Sequence, residues 1–457
     1  MELSGQRVLV VGSGISGIGA VSLLRKMKAL PILHDGNEKL ELSAIREKLG
    51  EDETPILLGT LPEQQYEETD VLLLSPGVPT DLPWIDRFRE MGVPVIGEIE
   101  LGFYAEQGKV IAITGTNGKT TTTTLVGEIM KADRGVENVL VVGNIGTPYT
   151  LEVEKTSANT VTVAEISSFQ LETTDTFCPH VSAILNVTPD HLNRHHTMEG
   201  YAGAKEKITS GQTKDQVCVL NYENEYTRAF GETKCPARPF WFSSKRPLEE
   251  GIYLEGDEII LAENGEHTAL LDIHKDMNLV GICNVENVMA AIAMTHSMNV
   301  PMDTIKKAIK AFRAVEHRIE YVATKRGVDY FNDSKGTNPD AAIQGIRAMS
   351  KPTILIGGGY DKQSEYDEWI EAFDGKVKLL VLIGQTRDKI AECARKHGIE
   401  CIRMADSFEE CLEICTEAAC PGDAVLLSPA CASWGMFPNY EVRGQLFKEY
   451  VRGLSEV

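Results

Sequence analysis

The most chemically pointed segment of the chain is Thr114-Gly115-Thr116-Asn117-Gly118-Lys119-Thr120. It follows the apolar run Val110–Ile113 and leads into Thr121–Thr124 and a segment of helical spacing. Two spaced glycines let backbone N–H groups close around phosphate oxygens. A lysine at this position reaches the outer phosphates, and the next hydroxyl can ligate Mg²⁺. The usual pattern has a glycine six residues before the lysine, and that position here is Ile113. The loop is therefore a shortened form, G-x-x-G-K-T. Gly115, Thr116, Asn117, Gly118, Lys119, Thr120 and Thr121 become candidates for ATP binding.

Carboxylates and histidines recur at the ends of other apolar runs. Glu165 closes Val161–Glu165, where a carboxylate beside a phosphate loop suits Mg²⁺. Asn186-Val187-Thr188-Pro189-Asp190-His191 ends the next run in the same topological place. His195 and His196 read as structural. Lys205, within Tyr201–Lys205, reads on its own as an exposed helix lysine. Asn284 and Asn287 are three apart and share a helix face, an arrangement that invites a ligand or a cap because asparagine is poor inside helices. Arg318, in Glu316-His317-Arg318, and Lys335, in Asp333-Ser334-Lys335-Gly336-Thr337-Asn338, are natural cations for phosphate and for a carboxylate substrate.

Two further glycine turns follow apolar runs. Gly12-Ser13-Gly14-Ile15-Ser16-Gly17 comes after Arg7–Val11, and Asp35 lies 18 residues beyond Gly17. This fits a dinucleotide fingerprint, but any nucleotide diphosphate satisfies the same physics, whether NAD or a UDP-sugar. Ser75-Pro76-Gly77 ends another run of this region and could line the same crevice. Gly357-Gly358-Gly359 follows Thr353–Ile356, with Lys362 beyond as an anion anchor.

The elements that must hold these loops are short runs of Val, Ile and Leu alternating with amphipathic stretches. Arg7–Val11, Val71–Leu74, Val110–Thr114, Val161–Ile166, Ala183–Val187, Thr353–Ile356, Leu379–Ile383 and Ala424–Leu427 read as strands buried on both faces. Ile15–Lys28 and Asn287–Met298 read as helices. Such alternation predicts an α/β fold with parallel, doubly wound sheets. Ile252–Leu271 alternates instead, with turns at Gly256-Asp257 and Asn264-Gly265, and predicts a small antiparallel element. At ~150 residues per domain, 457 residues predict three domains. Boundaries are expected near 98 and 314, giving 1–98, 99–314 and 315–457.

The 67 acidic against 45 basic residues give a net charge of −22, which disfavours nucleic acid as a partner. No apolar run approaches the ~18 residues of a membrane span. The N-terminus lacks a basic, cleavable leader, so the expected location is the cytoplasm. The ten cysteines include no CxxC pair, which indicates neither a zinc site nor a disulfide scaffold; reduced, mostly buried thiols are expected.

Taken in order, G-T-N-G-K-T at 115–120, G-N-I-G at 143–146, E-I-S-S-F-Q-L at 165–171, N-V-T-P-D-H at 186–191, the asparagine pair, E-H-R at 316–318 and D-S-K-G-T-N at 333–338 resemble the Mur ligase family of ATP-dependent amide-forming enzymes. Within it, the glycine-rich start and L-S-P-A-C-A-S-W-G-M-F-P-N-Y-E-V-R-G at 427–444 point to the D-glutamate-adding branch. The resemblance implies an N-terminal Rossmann-like UDP-binding domain, a central P-loop ATPase-like domain and a C-terminal Rossmann-like domain that binds the amino acid. It implies a monomer that joins D-glutamate to UDP-N-acetylmuramoyl-L-alanine through an acyl phosphate, with no membrane partner.

The implied roles follow residue by residue. Lys119, His191, Lys205, Arg318 and Lys335 would be catalytic. Asn287 and Arg318 would join the phosphate loop in contacting ATP. Thr120, Glu165, His191 and Lys205 would hold two Mg²⁺ ions, Lys205 as a carbamate. Ser13, Gly14, Ile15, Ser16, Asp35, Gly36, Ser75, Pro76, Gly77 and Asn144 would line the UDP pocket. Lys335, Thr337, Lys362, Ser433 and Tyr440 would bind D-glutamate. Cys283 stands where many relatives carry His, and Gly435 where an Asp is common.

Overall fold

A computed structural model describes residues 1–50 and 53–455. The chain divides into two compact units, residues 1–272 with 288–309, and residues 273–287 with 310–457.

The first unit holds two sheets. β1 (Arg7–Val11), β2 (Leu30–Asp35), β3 (Ile56–Leu58), β4 (Val71–Leu74) and β5 (Val95–Gly97) form an all-parallel sheet in the order β3-β2-β1-β4-β5. The strand order reverses between β1 and β4, which creates a crevice at their carboxyl ends. The residues after both strands meet there. A Cβ on Gly12 would lie 2.8 Å from Ser75, and one on Gly17 would strike the Gly12 carbonyl at 1.8 Å. The first and third glycines of the turn are therefore required by packing.

The second sheet has nine strands: β6 (Lys109–Thr114), β7 (Val139–Gly143), β8 (Val161–Glu165), β9 (Val181–Ile184), β10 (Val217–Asn221), β11 (Arg238–Ser243), β12 (Gly251–Glu255), β13 (Glu258–Glu263) and β14 (Glu266–Asp272). Their order is β14-β13-β12-β11-β10-β9-β6-β8-β7. Strands β6 to β12 pair in parallel, while β12-β13 and β13-β14 are antiparallel hairpins. The expected antiparallel element is thus the edge of the large sheet. Asn264 and Gly265 both adopt positive φ, 55° and 77°, as a tight two-residue hairpin requires.

The two sheets share one apolar core, running from Leu3 and Val8 through Tyr149 to Leu220. Thr150 reinforces it by donating its N–H (2.7 Å) and hydroxyl (2.9 Å) to buried Glu98.

In the second unit, β15 (Glu320–Lys325), β16 (Val328–Asn332), β17 (Thr353–Gly357), β18 (Val377–Leu382), β19 (Ile402–Met404) and β20 (Ala424–Leu427) form a sheet in the order β15-β16-β20-β17-β18-β19. Only β15-β16 is antiparallel. Apolar clusters cover both faces, one around Trp369 and Phe373, the other around Val425 and Phe447. No described helix is long and apolar enough to cross a membrane.

Two elements differ from expectation, each for a visible reason. The strand expected over Ala183–Val187 stops at Ile184, because Asn186 turns its backbone and side chain to the loop at 115–117. The helix expected over Asn287–Met298 begins earlier and spans Ile282–Ser297. Its asparagines are tolerated because Asn284 donates to the Val280 carbonyl (2.8 Å) and Asn287 donates to the Asn284 side-chain oxygen (3.1 Å).

Candidate active site

In the first unit, the loops after β6, β8 and β9 lie side by side because those strands are neighbours in the sheet. The loop after β6 is shaped by its glycines, with φ of 151° at Gly115 and 86° at Gly118, and it opens helix Lys119–Arg134. Asn186, after β9, holds the loop from outside. Its side-chain oxygen accepts from the N–H groups of Thr116 (3.1 Å) and Asn117 (2.9 Å), and its amide donates to the Asn117 carbonyl (3.1 Å). The Thr188 N–H donates to the Thr116 hydroxyl (3.0 Å).

Two amines converge on one carbonyl. Lys119 Nζ donates to Gly115 O and Thr116 O, both at 2.9 Å. Lys205 Nζ donates to the same Gly115 O at 2.8 Å and lies 4.3 Å from the Tyr201 ring centre. Lys205 is 1% exposed, so it is no surface lysine. Burial, and then the Lys119 charge, hold its pKa well below the usual lysine range, against a smaller opposing pull from Asp190.

Glu165, at the end of β8, is buried. Its Oε1 accepts from the Asn144 amide at 2.8 Å. Its Oε2 is buried and has no hydrogen-bond partner among the described residues. An ionised carboxylate oxygen in that position is costly unless a cation completes it. Oxygen donors near a phosphate loop are the set Mg²⁺ prefers, so Thr120 and Glu165 fit that ion. His191 adopts φ 53°, with its ring 4.9 Å from that of Phe169. Nearby, Arg194 donates to Glu172 (2.5 Å) and to the Val78 carbonyl (2.9 Å), and His195 lies 3.0 Å from the Ser168 hydroxyl.

At the crevice of the first sheet, Asp35 accepts from the Ser13 N–H (2.9 Å), the Ser13 hydroxyl (2.6 Å) and the Asn37 N–H (3.0 Å). Burial alone would raise its pKa, but these hydrogen bonds outweigh it and lower the pKa. Gly14, Gly36 and Gly77 face open space where a side chain would fit, and Ile15 is exposed. Ser13 follows β1, Ser75 and Pro76 follow β4, and Ser16 lies in the first turn of helix Ile15–Lys26.

In the second unit, the loops after β16, β17 and β20 again sit together. Arg443 ties two of them, donating to the Ser334 hydroxyl (2.9 Å), the Ser334 carbonyl (2.7 Å) and the Cys431 carbonyl (3.3 Å). Lys335 Nζ lies 5.3 Å from the Tyr440 ring centre, and Lys362 Nζ lies 5.2 Å from that of Trp434. Thr337 donates its N–H to the Lys335 carbonyl at 2.9 Å, and Ser433 is buried. Arg318 stands between His317 (φ 66°) and Ile319 (φ 45°), and its Nε is buried without a partner among the described residues. A β-branched residue at positive φ is strained, by about 1–3 kcal/mol. The flanking N–H groups hold that backbone against the strain, His317 donating to Glu320 (2.9 Å) and Ile319 to Asp333 (3.3 Å).

Beneath Arg318, Asp333 is buried and accepts from the Ser428 hydroxyl at 2.7 Å. Burial pushes its pKa from 3.8 up to about 7, against the opposing effects of Ser428 and Arg318. Between about pH 4 and 7 the folded chain therefore keeps a proton that the unfolded chain has lost. The stability this group contributes is present at the acid end of that window and lost as pH rises through it. Asp333→Asn is expected to flatten that part of the curve. Urea unfolding of both proteins at about pH 5 and about pH 8 checks it; a difference between them that does not change with pH would show Asp333 ionised throughout.

Residues 6–97 match the profile described as Mur ligase MurD-like, N-terminal domain, residues 113–295 the Mur ligase middle domain, and residues 317–431 the Mur ligase, glutamate ligase domain. Over 454 residues the chain is 58% identical to a UDP-N-acetylmuramoylalanine--D-glutamate ligase of Lachnospira eligens, covering 99% of this chain and 100% of that one. The chain belongs to the Mur ligase family. An enzyme of the same name from Clostridioides difficile is 44% identical over the full length of both chains. Among solved structures, the Mur ligase fold is matched by the UDP-N-acetylmuramate-alanine ligase MurC of Thermotoga maritima, with TM-score 0.58, 21% identity and coverage of 98% and 99%. MurF of the same organism, in complex with ADP, gives TM-score 0.59 at 15% identity, with coverage of 98% and 95%.

Motif reading found the loop, Glu165, Arg318 and Lys335, but it missed Asn186, Glu172, Arg194 and Arg443 as supports. Asn186 and Arg443 stood inside the quoted motifs, and their signal was a polar side chain among loop residues, which shows its use only in three dimensions.

Proposed function

We propose that this Mur ligase is an ATP-dependent enzyme of peptidoglycan-precursor synthesis that adds D-glutamate to UDP-N-acetylmuramoyl-L-alanine. The observation that carries the ligase reading is the pairing of the Gly115–Thr120 loop with buried, half-satisfied Glu165 and buried Lys205. The choice of D-glutamate follows the full-length relatives of that name. A cytoplasmic location follows from the use of ATP.

The substrate's L-alanine carboxylate attacks the γ-phosphorus of ATP, giving an acyl phosphate and ADP. The D-glutamate amine then attacks the acyl carbon, and inorganic phosphate leaves with the formation of the amide. Lys119 and the loop N–H groups bind phosphate oxygens and neutralise their charge. Thr120, Glu165, His191 and, as a carbamate, Lys205 would hold Mg²⁺, which would supply further neutralisation. Asn144 orients Glu165 through its amide as well as bordering the UDP substrate. Ser13, Ser16, Asp35 and the loop at 75–77 take the uridine diphosphate, with the Gly14, Ile15 and Gly36 edge against it. In the second unit, Asn287 and Arg318 contact ATP, while Lys335, Thr337, Lys362, Ser433 and Tyr440 take D-glutamate. The proposed domains are 1–98 for the UDP substrate, 99–314 for ATP and 315–457 for the amino acid.

Phosphate release from ATP is expected only when UDP-N-acetylmuramoyl-L-alanine and D-glutamate are both present. L-glutamate, D-alanine, meso-diaminopimelate and L-lysine are the comparisons. Release with another of these would keep the ligase chemistry and refute the acceptor; no release with any would refute the ligase.

A further inference from the structure

Away from the loops that bear the ligase chemistry, the second unit gathers four side chains of metal-ligand type. Asp367 and Glu371 are four apart on helix Asp367–Glu371. Cys393 lies on helix Arg387–Lys396 and His397 at its C-terminal cap, again four apart. Each pair therefore presents both members on one helix face. Donor atoms of Asp367, Cys393 and His397 all lie within 4.8 Å of one another. His397 Nε2 is 2.9 Å from Asp367 Oδ1. His397 Nδ1 faces Glu371 Oε1 at 3.9 Å.

We propose that Asp367, Cys393 and His397 bind a borderline divalent transition-metal ion, Zn²⁺ being the best match, with Glu371 orienting the imidazole from behind. Zn²⁺ takes S, N and O donors at about 2.0–2.3 Å in tetrahedral array, which places donors roughly 3.3–3.8 Å apart. The present donors, all within 4.8 Å of one another, lie near that spacing. Mg²⁺ and Ca²⁺ prefer sites dominated by oxygen, so the thiol above all selects against the ions suited to Thr120 and Glu165. A carboxylate hydrogen-bonded behind a ligating imidazole fixes its ring and raises its basicity, and Glu371 lies on that side of the ring, 3.9 Å from Nδ1.

The platform is rigid where it needs to be. Trp369 and Ile370 anchor one helix in the core, and Ile390, Ala391 and Ala394 anchor the other. The ligand side is open, with the Asp367 and Glu371 side chains 57% and 64% exposed, so an ion can enter and a water can complete the tetrahedron. A nucleophilic-thiol reading fits less well. A thiol relay needs the imidazole hydrogen-bonded to the thiol, whereas here Nε2 bonds the Asp367 carboxylate and Nδ1 faces Glu371. The expectation of no zinc site rested on the absence of CxxC. This set escapes that pattern because its ligands come as spaced pairs from two helices.

The test titrates the full, reduced chain with Co²⁺, without Mg²⁺ or nucleotide. The expected result is a sulfur-to-cobalt charge-transfer band with intense tetrahedral visible absorption, saturating at one ion per chain and displaced by Zn²⁺. Cys393→Ser removes the charge-transfer band. Asp367→Ala and His397→Ala each weaken Co²⁺ binding at least about tenfold, and Glu371→Gln weakens it about tenfold. Cys401→Ser, which alters an exposed thiol of the same unit, leaves the band unchanged. Retained phosphate-release activity of Cys393→Ser shows that it folds. Absence of the band at saturating Co²⁺, or its survival in Cys393→Ser, overturns the proposal.

Discussion

Replacing Lys119 with alanine is expected to cut turnover by about 10²–10³-fold, the loss seen when a preorganised charge-stabilising donor is removed. The native fold is expected to survive, because the Lys119 amine bonds to carbonyls of its own loop, Gly115 O and Thr116 O. The loop keeps its shape through the Gly115 and Gly118 dihedrals and through Asn186. Phosphate oxygens of ATP compete with those carbonyls for the same ammonium, so the lysine is already placed where charge develops. Lys119→Arg is expected to lose most of the activity too, since a planar fork does not replace a compact point charge in so tight a loop. Thermal unfolding without nucleotide and steady-state phosphate release measure the two sides separately. A variant that keeps its unfolding midpoint and its turnover would show that Lys119 has no part in the chemistry.

The readability of this protein follows how local each feature is. Phosphate loops, strand-terminal acids and hairpin turns are written in adjacent residues, and they stand where the sequence places them. Parallel strands buried on both faces read as plain apolar runs, so β1, β4 and β20 have their expected limits. What was not readable depends on residues far apart in the chain. Asn186 ends β9 because residues 116 and 117 need its amide, and periodicity cannot register that demand. Lys205 has the sequence signature of a surface lysine, yet its helix places it against the Gly115 carbonyl, 90 residues away. Arg443 reaches back 109 residues to Ser334. Asp333 was visible as part of a motif, but its titration near neutrality comes from burial that only the packed sheet creates.

Lys205 carries the second large effect. On the proposal that it acts as a carbamate, Lys205→Ala is expected to lower turnover by at least about 10³-fold, equivalent to about 4 kcal/mol of transition-state stabilisation. A neutral lysine amine attacks CO₂ to form N–COO⁻ and release a proton. An ordinary lysine is almost wholly protonated at neutral pH and reacts poorly. Here burial, with the Lys119 charge added, favours the neutral amine. The product turns a neutral amine into an anion that attracts the Lys119 ammonium, and gives the site a further metal-ligating carboxylate. Stripping CO₂ from buffers is therefore expected to silence the wild-type enzyme, bicarbonate to restore it, and Lys205→Ala to ignore both. The CO₂ requirement rises as pH falls, because protonation removes the nucleophile. Lys119→Ala couples the two predictions: with the repelling charge gone, the Lys205 pKa rises and more bicarbonate is needed for the same carbamate occupancy. Carbon-13 NMR with labelled bicarbonate reads that occupancy without reference to activity. Undiminished turnover in CO₂-free buffer, together with no carbamate resonance, would remove the modified lysine from the mechanism and leave Glu165, His191 and Thr120 as the metal ligands.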